Sequence, residues 1–219
     1  MNNSRPQMHC HQEFLTDTGY TSFIPEETIM KWFNDRYSTS KHLLVLYSIA
    51  IGLKAKNILE IGFGRSTFVL AKAAAVNQGR LISCDTRDFS HLLNDSEKQV
   101  VTLVNGYSKN IWKSYKKNSF DFVFLDYFSS EKLSTVFVLK ELLHSIHRTR
   151  PSGIITIHDV SVKKYRIGKL LGWVSMLSFV LLLKRVRISV LPYNYGLAII
   201  YVGNQHVVDH DPWIKKEEI

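Results

Sequence analysis

The sequence predicts an α/β protein built on a doubly wound, mostly parallel sheet of seven strands that closes with a C-terminal antiparallel hairpin. Three observations carry this expectation. Short strands that are apolar throughout alternate with helical stretches, as in a parallel sheet covered on both faces. A glycine pair, Gly62 and Gly64, sits between the first such strand and the helix after it. Near the end, strands at Arg185 to Leu191 and Leu197 to Val202 are joined by Pro192-Tyr193-Asn194-Tyr195-Gly196, short enough for a hairpin.

Taken in order, His42 to Leu53 reads as an apolar helix and Asn57 to Ile61 as a short buried strand stopped by Gly62. The alanine-rich run from Ser66 to Ala75 reads as a helix, with Ser66 placed to cap it. Arg80 to Cys84 forms a second strand ending at Asp85, and Gln99 to Val104 a third ending at Asn105-Gly106. Phe120 to Leu125 is a fourth strand stopped by Asp126, and Lys132 to His147 carries helical spacing. Pro151-Ser152-Gly153 then turns the chain into a fifth strand, Ile154 to His158, and no internal repeat is visible.

A chain of 219 residues, 45% of them hydrophobic, supports one substantial core and is too short for two ordinary domains. We expect a domain over 41–203, an N-terminal extension over 1–40 lying as a lid on the substrate pocket, and a polar tail over 204–219. The first residues predict neither a secretory signal nor a transmembrane start. With only Cys10 and Cys84 present, a reducing, cytoplasmic setting is expected. The net charge of +9 comes from lysines scattered over separate segments, without an aromatic-interleaved basic stripe, and argues against a nucleic-acid partner. Leu170 to Leu183 is apolar with basic flanks, so 163–187 could touch a membrane surface. It is shorter than the roughly 20 residues needed to span a bilayer, which favours a helix packed on the sheet. His9-Cys10-His11 is spaced too tightly for one zinc site and reads as an exposed tail. Nothing in the sequence excludes a homo-oligomer.

The chemistry concentrates at the carboxyl ends of the predicted strands. In Glu60-Ile61-Gly62-Phe63-Gly64-Arg65-Ser66 the glycines let the backbone approach a ligand closely, a Rossmann-like nucleotide loop. A dinucleotide loop would carry a third glycine, and here Thr67 and Phe68 follow, so a ligand without a pyrophosphate is preferred. Asp85 is placed to accept both ribose hydroxyls of an adenosine. Gly106, Tyr107 and Ser108 end the third strand, near where an adenine would lie.

The run Asn57 to Ser66, the strand ending at Asp85 and the run Ile154-Ile155-Thr156-Ile157-His158-Asp159-Val160 together resemble class I S-adenosylmethionine-dependent methyltransferases. Within them they resemble the small-molecule O-methyltransferases that include macrolide-sugar methyltransferases and cephalosporin-hydroxylase-like proteins. The likeness runs from about Lys41 to Val202 and implies S-adenosylmethionine held by Glu60, Gly62, Phe63, Gly64, Ser66, Asp85, Gly106, Tyr107, Ser108 and Asp126. It further implies Asp126 and Asp159 as ligands of a divalent metal such as Mg²⁺, which would lower the pKa of an acceptor hydroxyl and orient it. The catalytic residues would be His158, Asp159 and Asp126. Two departures bear on the metal: Ser129 stands where the sugar enzymes carry a histidine base, and Val160 where catechol-type enzymes carry an asparagine. Without a metal, His158 is the candidate general base. The expected activity is O-methylation of a sugar or natural-product hydroxyl; a non-catalytic binding module and an RNA or protein methyltransferase are the alternatives.

Overall fold

The computed structural model describes residues 39–126, 135–160, 186–191 and 196–203, together with Glu27, Lys31 and Asn34. The rest of the expected extension, the tail over 204–219, Ser129 and the candidate membrane segment 163–185 lie outside the described residues. Among those described, no helix is long and apolar enough to cross a membrane.

Seven strands form one sheet: β1 (Asn57–Ile61), β2 (Arg80–Asp85), β3 (Val101–Asn105), β4 (Phe120–Leu125), β5 (Thr149–His158), β6 (Val186–Leu191) and β7 (Leu197–Val202). Their order is β3-β2-β1-β4-β5-β7-β6. The first five run parallel, while β7 lies antiparallel between β5 and β6. The doubly wound sheet and terminal hairpin are thus as expected. Among the described residues from Thr39 onward, the α-helices are α1 (Leu43–Gly52), α2 (Arg65–Val76), α3 (Asp95–Val100), α4 (Ser108–Ser114) and α5 (Thr135–Arg148), and a 3-10 turn, Thr39–His42, leads into α1. All six residues of β4 are buried, because a central parallel strand is covered on both faces. One core cluster joins α1 and α2 to one face of the sheet, through Leu46, Ala50, Leu70 and Ala74 against Ile58 and Phe122. A second joins Ile111, Trp112 and Leu142 to the other face, against Leu59, Val123 and Ile155.

Three local readings are corrected. Ser66 does not cap α2: the cap residue is Gly64, and the Ser66 side chain is fully buried. Gln99 and Val100 belong to the short helix α3, which Asn94 caps by accepting from the Glu97 N–H at 2.9 Å while Glu97 Oε2 accepts from the Asn94 N–H. The β-branched run masked that capping box. Finally, β5 begins at Thr149, and Pro151 to Gly153 is an irregularity within it, with a register shift opposite Phe120 to Phe122 and Ser152 at φ 68°.

The order matters because the chain winds outward from β1 to β3 and then returns to place β4 on the other side of β1. At such a switch point the loops after neighbouring strands part and leave a crevice at the carboxyl edge. Register aligns the strand ends there: Ile61 pairs with Cys84 and with Leu125, and Leu125 with Ile157. The residues just beyond them are therefore neighbours. Gly62 N–H donates to Cys84 O, Gly106 N–H to Asp85 O and Asp126 N–H to Ile61 O, at 2.8 to 2.9 Å.

Candidate active site

The two loop glycines do different things. Gly62 has φ +103°, and a Cβ there would lie 2.7 Å from the Asp126 backbone oxygen, so a side chain is excluded twice over. Gly64 is extended, at φ −169°, and a Cβ would meet nothing nearer than Ser66 Oγ at 3.9 Å. Its missing side chain leaves space above the loop rather than relieving the backbone.

Beneath the loop Glu60 is fully buried, and its carboxylate accepts three hydroxyl hydrogen bonds: Ser66 Oγ at 2.5 Å, Thr67 Oγ1 at 2.5 Å and Ser83 Oγ at 2.6 Å. Thr67 stands where a dinucleotide loop has its third glycine. Its hydroxyl also accepts from the Gly64 N–H at 3.0 Å, linking the loop to the buried acid. Burial pushes the Glu60 carboxyl up to about 7, against the three hydroxyls that favour its charged form. Glu60 and Ser66 thus hold the loop's shape from below.

Asp85 binds the loop from the side. Its Oδ2 accepts from the Phe63 N–H at 3.1 Å and its Oδ1 from the Arg87 N–H at 3.0 Å. Next to it opens a cavity of about 260 Å³, lined by Phe63, Ser83, Asp85, Arg87, Asp88, Phe89, Ser90, Leu103, Val104 and Asn105. Phe63 stacks on Phe89 with centroids 4.7 Å apart, and the Arg87 guanidinium lies 4.8 Å over the Phe89 ring. Asp85 and Phe63 face this space. Gly106, Tyr107 and Ser108 do not line it; the preceding Leu103, Val104 and Asn105 do, while Tyr107 is 65% exposed.

Across the switch point, Asp126, His158 and Asp159 come together. His158 is 1% exposed, and its Nδ1 lies 2.8 Å from Asp126 Oδ1 and 3.3 Å from Asp159 Oδ1. An imidazole nitrogen between two carboxylate oxygens carries a proton, and that assigns the tautomer. Burial disfavours the imidazolium, but the Asp126 hydrogen bond and the charges of Asp126 and Asp159 outweigh it and raise the His158 pKa. His158 Nε2 is buried without a hydrogen-bond partner among the described residues. Asp159 holds φ 61°, a left-handed conformation that aspartate tolerates better than most residues.

The same three residues offer ligand atoms within 4.8 Å of one another. Two carboxylates and an imidazole suit a divalent cation, the carboxylates being the hard donors that Mg²⁺ prefers. Thr39 also reaches the cluster, donating from Oγ1 to Asp126 Oδ2 at 3.2 Å, and the His42 ring packs edge-on against His158 at 5.2 Å. Neither residue was singled out in the sequence, because both precede the first strand and carry no motif. Thr67 and Ser83 were missed likewise, though a hydroxyl-rich shell is what a buried acid at position 60 requires.

The doubly wound sheet with its terminal antiparallel hairpin is a Rossmann-like methyltransferase fold. Residues 59–160 match the family model for a methyltransferase domain. Among solved structures, the cofactor-bound protein Rv0187 from MTB is 17% identical with a TM-score of 0.60, over 80% of this chain and 86% of its own. An O-methyltransferase from Bacillus cereus in complex with SAH is 18% identical with a TM-score of 0.59, over 82% of this chain and 92% of that one. MycE, a methyltransferase of the mycinamycin biosynthetic pathway in complex with Mg and SAH, is 18% identical with a TM-score of 0.54, over 90% of this chain and 54% of MycE. At these identities the likeness is one of fold. Among curated proteins, none matches the sequence.

Proposed function

We propose that this protein methylates a hydroxyl oxygen of a small-molecule acceptor, a sugar or natural product, with Asp126, His158 and Asp159 on the acceptor side. The observation that carries the reading is the buried cluster across the switch point from the glycine loop, with His158 Nδ1 bonded to Asp126 and close to Asp159, and Nε2 without a partner among the described residues. S-adenosylmethionine supplies an electrophilic methyl whose departure leaves the bond's electron pair on sulfur. Gly64 leaves room for it, Asp85 accepts from its ribose hydroxyls, and Phe63 lines the adenosine cavity. His158 Nε2 takes the proton that the acceptor hydroxyl gives up, and Asp126 stabilises the imidazolium so formed. Burial of the cluster keeps water from competing. A divalent cation held by Asp126 and Asp159 would lower the acceptor's pKa.

Titration calorimetry with S-adenosylmethionine and S-adenosylhomocysteine tests the cofactor half. Methyl transfer from labelled S-adenosylmethionine to a panel of hydroxylated acceptors, with Mg²⁺ or with chelator, tests the other half. Absence of binding defeats the whole reading. Binding without turnover on any acceptor favours a non-catalytic binding module instead.

A further inference from the structure

The turn Thr39–His42 touches both halves of the site although it precedes the first strand. Thr39 Oγ1 donates to Asp126 Oδ2 at 3.2 Å. Ser40 Oγ, 2% exposed, accepts from Arg65 Nη1 at 3.0 Å, and Arg65 is the first residue of α2, just past the glycine loop. His42, also 2% exposed, packs its ring on His158. The turn is therefore pinned to the loop at Ser40 and to the base at His42, which fixes where the Thr39 hydroxyl can point.

The Asp126 carboxylate has two jobs to divide between two oxygens. Its Oδ1 holds His158 Nδ1 at 2.8 Å. Rotation of the carboxylate about its terminal torsion, which is broad and soft in aspartate, would break that bond. The hydroxyl on Oδ2 is the restraint that opposes such rotation. We propose that Thr39 is a positioning residue of the acceptor-side centre: by engaging Asp126 Oδ2 it locks the carboxylate so that Oδ1 orients the His158 imidazole and leaves Nε2 to face chemistry. This deepens the methyltransferase reading and rests on it for the meaning of the centre, but the contact itself is testable without an acceptor.

The experiment compares wild type, Thr39→Val and Thr39→Ser by nitrogen-15 histidine side-chain NMR, alongside titration with S-adenosylhomocysteine. Thr39 is only half-buried, so valine is accommodated; Thr39→Ala is read in the same way should valine disturb the fold. In the wild type, His158 shows the Nδ1–H tautomer with a downfield Hδ1 signal protected from exchange. In Thr39→Val that signal moves upfield or is lost to exchange, and Thr39→Ser restores it, while affinity for S-adenosylhomocysteine stays within about twofold in all three, since no cofactor-side contact is removed. An unchanged Hδ1 signal in both Thr39→Val and Thr39→Ala overturns the proposal, as does a wild type without that signal. A failure of the methyltransferase reading shows separately, as absence of S-adenosylhomocysteine binding by the wild type.

Discussion

The glycine-loop half and the histidine-cluster half of the crevice share one sheet edge and are satisfied to different degrees. Under the glycine loop every oxygen of Glu60 accepts a hydroxyl hydrogen bond, and both oxygens of Asp85 accept backbone N–H groups. On the far side of the switch point a nearly inaccessible imidazole has carboxylate oxygens near its Nδ1, while its Nε2 is without a partner among the described residues. A buried polar atom without a partner costs on the order of 1–3 kcal/mol, which the structure tolerates where a ligand is to supply the missing contact. The first half is preorganised and closed, the second preorganised and incomplete. Loop substitutions should therefore show in stability and cofactor affinity, and cluster substitutions in turnover.

The comparison breaks most visibly at Gly62. Gly62→Ala places a Cβ against the Asp126 backbone at a positive φ, and we expect it to cost about 3 kcal/mol or more, read as a clearly lower midpoint in a denaturant titration. Gly64→Ala should fold with near-normal stability and lose affinity for S-adenosylhomocysteine by calorimetry. If the two behave alike, the division of labour in the loop is wrong. On the acceptor side, His158→Gln should lower turnover by roughly 10²–10⁴ while cofactor affinity changes little. A matching loss of cofactor affinity would move His158 into the other half.

Glu60 sharpens the same contrast through pH. Its carboxyl is raised from an ordinary 4.5 to about 7. The unfolded chain loses this proton near the lower value while the folded chain keeps it up to the higher one. Across that window the native state binds more protons, so stability falls as pH rises, by about 3 kcal/mol in all. Unfolding free energies of wild type and Glu60→Gln, measured from pH 4.5 to 7.5, should diverge in slope, the variant being flatter. The smallest effect is expected at Asp85: Asp85→Asn should weaken S-adenosylhomocysteine binding about tenfold, by weakening acceptance from the ribose hydroxyls.

Much of the fold was legible because its strands are short, apolar runs between glycine or acidic stops. Asn57–Ile61 and Phe120–Leu125 match expectation residue for residue, since a strand buried on both faces has no alternation to blur its ends. The third strand was misjudged where the local capping of α3 outweighed the β-branched run. In the crevice, the positions of Gly62, Asp85, Asp126, His158 and Asp159 were legible because the carboxyl ends of the strands in a parallel sheet line such a crevice. Thr39 and His42 could not, because no spacing relates them to residues some 87 and 116 positions away along the chain.

What the sequence determined alone is the sheet, its hairpin and the residues at its carboxyl edge, because hydrophobic period and turn chemistry are local properties. Only tertiary structure decided that Gly62 must be glycine because β4 ends against it, that Ser66 serves a buried acid rather than a helix cap while Thr67 serves both, and that a turn before the first strand reaches Asp126. Those are contacts between distant segments, and their energies depend on which atoms the fold removes from water together.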